Sequence, residues 1–267
     1  MAQTSDTSEQ PLTASAVIRD CRMWAEAARG TALKFFRQGT EVDFKEDQSP
    51  VTLADQTVEQ ELKSAIAAKY PDHGVFGEET GIEGGGKDCL WVIDPIDGTR
   101  SFISGHPLFG MLIAFLRKGQ LLAGAISMPA LNEVYCGGRG VPATCNGTPI
   151  EVSGQRNPDE AVIYINEGEK LLADHPDVAA RLLRAGQTRR FGYDCYPHAL
   201  LAAGHVDAVI DYDLKPYDFL AVSAVVEAAG GIMTDWRGNA LTLESDGAVI
   251  SAASPELHAA LLKLLGS

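Results

Sequence analysis

The stretch Trp91-Val92-Ile93-Asp94-Pro95-Ile96-Asp97-Gly98-Thr99 constrains this chain more than any other, because an apolar run stops abruptly in two carboxylates, a proline, a glycine and a hydroxyl. A buried strand that ends this way delivers its acids at the edge of a core, where they hold a cation rather than merely solvate a surface. Upstream, the short apolar segment Val75-Phe76-Gly77 runs into a second acid pair, Glu78-Glu79. Two strand ends that each deliver carboxylates predict one shared cation site.

The 267 residues, 45% of them hydrophobic, suffice for one large domain or two modest ones with a substantial core. A formal charge of -14, from 22 basic and 36 acidic residues, argues against nucleic acid as a partner, since such binders show a basic face. Five cysteines, Cys21, Cys89, Cys136, Cys145 and Cys195, are odd in number, widely spaced and without a Cys-x-x-Cys pair, so neither a disulfide framework nor a zinc site is expected. Met1 to Ser15 is polar and lacks the basic start and apolar stretch of a secretory signal, and no run approaches a membrane span. These features predict a cytoplasmic protein with a disordered start over residues 1–12 and no membrane partner.

Apolar residues from Ala14 to Gln38 recur at helical spacing, with Val17, Cys21, Trp24, Ala27, Leu33 and Phe36 near one stripe. Thr52, three residues before Asp55, forms a capping-box pattern that opens a second helix running to about Tyr70. Strands are predicted at 74–78, 89–94, 108–117, 120–128 and 133–138, so the first half reads as two helices on a mostly antiparallel sheet. After about Asn157 the rhythm becomes strand 161–165, helix 177–185, strand 188–192, helix 196–204, strand 206–211, helix 216–229, strands 231–235 and 248–251, and helix 255–265. That alternation predicts a second sheet covered by helices on both faces, with subdomains at 13–155 and 156–267.

Asp94 and Asp97 flank Pro95, which restrains the backbone before it and leaves the Ile96 carbonyl free to turn inward. Three such oxygens suit a hard cation such as Mg²⁺. Gly98 and Thr99 then offer backbone N–H groups where a helix could begin at Arg100, making an anion seat, although the same residues also suit a plain Asp-Pro turn followed by a helix N-cap. An EF-hand is excluded because the twelfth residue from Asp94 is Gly105 rather than Glu. Gly81 to Lys87 has the glycine and lysine positions of a P-loop, but Asp88 replaces its Ser/Thr and a strand follows, so the segment reads as a hairpin-like loop. Asp218, just after Pro216, either complements a helix dipole or serves a cation; Asp55 either closes its capping box or orients a catalytic water.

These motifs resemble a known family. Gly77-Glu78-Glu79-Thr80, the Trp91 to Thr99 stretch with Phe102, and Pro216-Tyr217-Asp218 followed by Ala228-Ala229-Gly230-Gly231 are similar, in order, to the signatures of the inositol monophosphatase family of Mg²⁺-dependent, lithium-sensitive phosphatases. The wording is most similar to the histidinol-phosphate phosphatase branch, in Arg100 to Gly110, in Gly192-Tyr193-Asp194-Cys195-Tyr196 and in Asp213 to Asp218. The resemblance implies an α+β or α/β fold, the layered αβαβα sandwich shared with fructose bisphosphatases, and a homodimer. It implies that Glu78, Asp94 and the Ile96 carbonyl hold one Mg²⁺, that Asp94, Asp97 and Asp218 hold a second, and that a third binds near Glu78. Glu78, Thr99 and Asp55 would be catalytic, the last two orienting and deprotonating a water, while Gly98, Thr99, Asp97, Asp194, Asp211 and Asp218 would meet the substrate.

One position departs from the family pattern: Asp211, seven residues before Asp218, stands where relatives usually carry a longer Glu that touches the substrate. Histidinol phosphate carries an ammonium and an imidazole that can protonate, and Asp194, Asp211 and Asp213 would place negative charge on its side of the site. A small phosphorylated metabolite of this kind is therefore the expected substrate. The alternatives are an inositol 1-phosphate, sugar-bisphosphate or 3′-phosphoadenosine nucleotide phosphatase and, in another class, a non-catalytic sensor of Mg²⁺ or phosphorylated metabolites. A sensor has no need of the Asp55 and Thr99 pair.

Overall fold

In the computed structural model of the protein, the described residues are 12–39, 42–44, 50–84 and 88–266. Of the start expected to be disordered over residues 1–12, residues 1–11 lie outside them, as do residues 85–87 of the hairpin-like loop. Helix α1 spans Ala14–Phe35 and is capped by the Thr13 hydroxyl. Strands β1 (Val42–Phe44) and β2 (Pro50–Thr52) form a small antiparallel pair that leads into α2 (Leu53–Lys69). The capping box expected from Thr52 and Asp55 is present in full, and α2 ends one residue before Tyr70.

The first large sheet is built from β3 (Gly74–Gly77), β4 (Gly81–Glu83), β5 (Cys89–Asp97), β6 (Gly110–Arg117), β7 (Gln120–Met128), β8 (Glu133–Gly138), β9 (Val141–Cys145) and β10 (Thr148–Pro149), with the short helix α3 (Thr99–Ile103) after β5. Its order is β10-β9-β8-β7-β6-β5-β3-β4, antiparallel throughout except for the parallel β3 and β5 pair. Parallel pairing sends the chain ends of β3 and β5 to the same sheet edge, so Glu78 and Asp94 emerge side by side. One correction concerns β5. It does not stop at Asp94 but continues to Asp97 through an irregularity between those two residues, because Asp97 pairs again with Gly110. The segment expected as a hairpin-like loop after Gly81 begins as strand β4, paired with β3.

The second sheet uses β11 (Val162–Ile165), β12 (Thr188–Phe191), β13 (Ala208–Asp211), β14 (Ile232–Asp235) and β15 (Val249–Ala252), in the order β12-β11-β13-β15-β14. Its helices are α4 (Gly168–Asp174), α5 (Pro176–Leu182), α6 (Tyr196–Ala202), α7 (Pro216–Ala228) and α8 (Pro255–Leu265). Helix α4 is absent from the sequence expectation. Only Leu171 of its seven residues is buried, so it carries no apolar period to detect. The helix expected at 177–185 ends at Leu182, where Leu183 and Arg184 turn toward Gly186.

Three apolar clusters define the layers. Val17, Trp24, Leu62 and Ile66 of α1 and α2 cover one face of the first sheet, meeting Trp91, Ile93, Ile113 and Phe115. The opposite face packs Val92, Leu112, Ala114 and Ile126 against Phe219, Leu220, Val222 and Val226 of α7, in a cluster that also takes in Val209 and Val249 of the second sheet. The far face of the second sheet is closed by α4, α5 and α8 through Leu171, Leu182, Leu257 and Leu261. The result is an αβαβα sandwich. Helix α7 is apolar on nearly every side, as a helix between two sheets must be, and eight of its thirteen residues are buried. Phe219→Ala should therefore cost about 3–5 kcal/mol, read as a lowered urea midpoint at unchanged slope; a loss below about 1 kcal/mol would mean that this layer does not hold the sheets together.

Candidate active site

The acids of the candidate site come from several elements far apart in the chain. Phe76 of β3 and Tyr217 of α7 meet edge to face with ring centres 5.7 Å apart, which brings the end of β3 to the start of α7. Asp94, Asp97 and Asp218 each offer a carboxylate oxygen within 4.8 Å of the others. Asp94 and Asp97 are buried at 2% and 9% exposure, and Asp218 is partly buried. Each is held by one backbone N–H: Ile96 donates to Asp94 at 3.0 Å, Cys195 to Asp97 at 2.6 Å and Lys215 to Asp218 at 2.6 Å. These three plus Glu78 and Ile96 line one cavity of about 210 Å³ with Gly98, Thr99, Asp194 and Asp211.

The electrostatics of this cluster are unfavourable without a counter-ion. Burial pushes the Asp94 carboxyl well above its ordinary range, and Glu78, Asp97 and Asp218 add to the shift. Burial, then Asp194 and Asp218, raise Asp97 against the opposing Cys195 N–H. Asp218 is pushed up to about 8 by burial and by Glu78, against the opposing Lys215 N–H. All donors are oxygens, carboxylates with the Ile96 carbonyl, and that set fits a hard divalent cation.

Asp55 is fully buried on α2 and faces two partners. Its Oδ2 accepts from the Thr52 backbone at 2.8 Å and hydroxyl at 2.6 Å, and its Oδ1 accepts from the Thr99 hydroxyl at 3.2 Å. The capping and catalytic readings of this residue are thus compatible, since each uses a different oxygen. Burial raises its carboxyl pKa, with the Thr52 and Thr99 hydrogen bonds opposing.

The seat around Gly98 needs a glycine twice over. Its φ is +85°, and a Cβ there would lie 2.4–2.8 Å from the Asp194 carboxylate. Asp194 itself takes φ +58° and accepts from the Ser101 hydroxyl at 2.5 Å. Its carboxyl is pushed to about 6 by burial and by Asp211, with Ser101 opposing. Asp213, by contrast, is exposed; it lines the same cavity, and Lys170 and Lys215 each approach its carboxylate at 3.7 Å and partly offset its charge.

Two site residues escape sequence reasoning. Glu59 on α2 is buried beside Gly77, where a Cβ would lie 2.6 Å from its carboxylate, and it accepts from the backbone N–H groups of Glu79 at 2.8 Å and Thr80 at 3.1 Å and from the Thr80 hydroxyl at 2.6 Å. It therefore fixes the turn that carries Glu78. The signal was its spacing of four from Asp55 on a helix face shared with Val58 and Leu62. Glu167, at the end of β11, lines the same cavity as the acids and has φ +45°. A larger cavity of about 630 Å³ lies between β7, β9 and α7, but it is remote from these acids.

Residues 17–267 match the model of the Inositol monophosphatase family. This chain belongs to the inositol monophosphatase family. It is accordingly a phosphoric monoester hydrolase. It is 41% identical over 229 residues to a histidinol-phosphatase of Chlorobaculum parvum, covering 84% of this chain and 88% of that protein. It is 38% identical over 250 residues to the chloroplastic bifunctional phosphatase IMPL2 of Arabidopsis thaliana, covering 90% and 72%. Among solved structures, an inositol monophosphatase from Zymomonas mobilis superposes with a TM-score of 0.83 at 35% identity, over 95% of this chain and 98% of that one. No helix among the described residues is long and apolar enough to cross a membrane.

Repulsion among these carboxylates makes a cation response the direct test. Saturating Mg²⁺ at a hundred times its dissociation constant should stabilise the folded protein by about 2.7 kcal/mol, read as a raised melting temperature. Above about pH 8, where Asp218 is ionised, Asp218→Asn removes one of the repelling charges while keeping an acceptor for Lys215, so it should raise the melting temperature without Mg²⁺ and blunt the rise with it. A variant destabilised in the absence of Mg²⁺ but fully responsive to it would contradict this reading of the cluster.

Proposed function

We propose that the protein is a Mg²⁺-dependent phosphomonoesterase whose substrate is histidinol phosphate, which would place it in histidine biosynthesis. The observation that carries the reading is the acidic wall of Asp194, Asp211 and Glu167, which shares one cavity with the Asp94, Asp97 and Asp218 cluster. A phosphate ester whose alcohol is cationic fits both halves, with its phosphoryl group toward the cluster and its ammonium toward the wall. The 41% identity with a histidinol-phosphatase supports the same choice.

In this reading Glu78, Asp94, the Ile96 carbonyl, Asp97 and Asp218 would hold two or three Mg²⁺ ions. Bound there, Mg²⁺ would supply positive charge against the phosphate and a more acidic water for in-line attack. Thr99 would orient the attacking water, since its hydroxyl donates to Asp55 at 3.2 Å and keeps lone pairs free to accept. Asp55 would take the proton through that hydroxyl, acting as the general base with Glu78 close by. Backbone N–H groups of Gly98 and Thr99 would hold phosphoryl oxygens. Five free cysteines fit a reducing, cytoplasmic setting, and the family resemblance implies a homodimer acting on a small metabolite, with neither nucleic acid nor membrane as partner.

Inositol 1-phosphate is the second reading, favoured by the likeness to the Zymomonas mobilis inositol monophosphatase. Phosphate release with Mg²⁺ should be compared across histidinol phosphate, inositol 1-phosphate, fructose 1,6-bisphosphate and 3′-phosphoadenosine 5′-phosphate. Histidinol phosphate is expected to give the highest kcat/KM, and a rank below the others overturns the substrate assignment. Thr99→Ala should lower kcat by about 10²–10⁴-fold with a smaller change in KM. Full activity in that variant would remove Thr99 and Asp55 from the mechanism.

A further inference from the structure

We infer that Glu167 is the residue that selects a cationic leaving group, and that Asp211 serves instead as a buried anchor of the same wall. The inference rests on the phosphatase reading above and refines its substrate side.

Asp211 is poorly placed to meet a substrate directly. Its carboxylate is 2% exposed, and both oxygens are occupied by the protein. Oδ1 accepts the Tyr212 N–H at 2.8 Å, while Oδ2 accepts the Asn166 amide at 2.6 Å and lies 3.1 Å from His198 Nε2. His198 is in turn fixed by Ser251, 2.8 Å from its Nδ1, and is itself buried. The Asn166 amide also donates to the Asp194 carbonyl at 3.0 Å, so one side chain ties β11 and β13 to the loop that carries Asp194. An aspartate is short enough to remain inside this network. A glutamate at the same position would carry its carboxylate one methylene further.

Glu167 follows Asn166 directly and has the opposite character. Its side chain is half-buried, and among the described residues its carboxylate has no hydrogen-bond partner. It lines both the cavity of the acid cluster and an adjoining one of about 340 Å³, whose walls include Arg100, Ser101, His106 and Tyr193. A leaving group that extends from the first cavity into the second passes Glu167, and the exposed Tyr193 ring offers a flat face to an imidazole beyond it. The electrostatic surroundings favour a cation at this point. Burial and the nearby Asp211 push the Glu167 carboxyl up to about 6, against the pull of Arg100, so at neutral pH it is an anion among anions. An ammonium donating to it relieves that repulsion, whereas a hydroxyl does not.

The test uses a matched pair of probes, 2-aminoethyl phosphate and 2-hydroxyethyl phosphate, which differ only in presenting an ammonium or a hydroxyl. Both are measured as competitors of whichever ester in the substrate comparison is hydrolysed fastest. The wild-type protein should bind the amine more tightly by about ten-fold or more, equal to about 1.4 kcal/mol. Glu167→Gln, of the same size, should bring the two inhibition constants together. Glu167→Gly also removes the left-handed strain of a residue at φ +45°. It should lose the preference without a lower melting temperature, which separates selectivity from folding. Asp211→Asn should lower the melting temperature and change the preference less than Glu167→Gln does. A wild-type ratio near one, or a preference that survives Glu167→Gln but collapses in Asp211→Asn, overturns the inference. Failure of histidinol phosphate as a substrate alongside a Glu167-dependent amine preference would sink only the named substrate.

Discussion

Like charges gathered out of water set the terms for this fold. Two unit charges about 4 Å apart repel by about 4 kcal/mol at an effective dielectric constant of 20, and Asp94, Asp97 and Asp218 place carboxylate oxygens within 4.8 Å of one another. Three backbone N–H groups, from Ile96, Cys195 and Lys215, each restrain one acid. Those donors come from β5, from the loop before α6 and from the start of α7. The site is therefore only as rigid as the packing among these three elements, and a divalent cation bound there would relieve its remaining repulsion.

The central helical layer supplies that packing. Helix α7 presents Phe219, Leu220, Val222 and Val226 to a cluster shared by both sheets, and its first turn carries Asp218. A first-turn acid complements the helix dipole, and here it does so while facing Asp94 and Asp97. The dipole reading of Asp218 is therefore compatible with its place in the acid cluster. Asp55 shows the same economy on α2, where one carboxylate oxygen closes a capping box and the other reaches Thr99. In both places a local stability device fixes the orientation of a carboxylate.

The opposite wall is built under more strain. Asp194, Asp213 and Glu167 all hold positive φ without being glycine, at 58°, 64° and 45°. Such residues persist where surrounding contacts over-determine them, and they concentrate at functional sites. Asp194 is fixed through Ser101 and by its approach to Gly98, and Asp213 lies 3.7 Å from Lys170 and from Lys215. Glu167 has no such fixing contact from its side chain among the described residues, which leaves it available to a ligand.

Much of the acid cluster was legible in the chain because its pieces are local. Asp94-Pro95-Ile96-Asp97-Gly98-Thr99 is one strand end, Glu78 follows a second apolar run, and Asp218 follows Pro216, so periodicity and turn residues alone mark each as the end of a buried element. The capping box of α2 was equally readable from Thr52 and Asp55. The bulge that keeps Asp97 within β5 was not, because it depends on pairing with Gly110. Glu59, Asn166 and His198 were also hidden, since their partners lie at Gly77 to Thr80, Asp194, Asp211 and Ser251. Local pattern alone thus identifies which residue types stand at element ends. Packing across the chain settles which acids are buried, which lie beside lysines and which face the cavity, because burial and electrostatic repulsion depend on distances that no local pattern encodes.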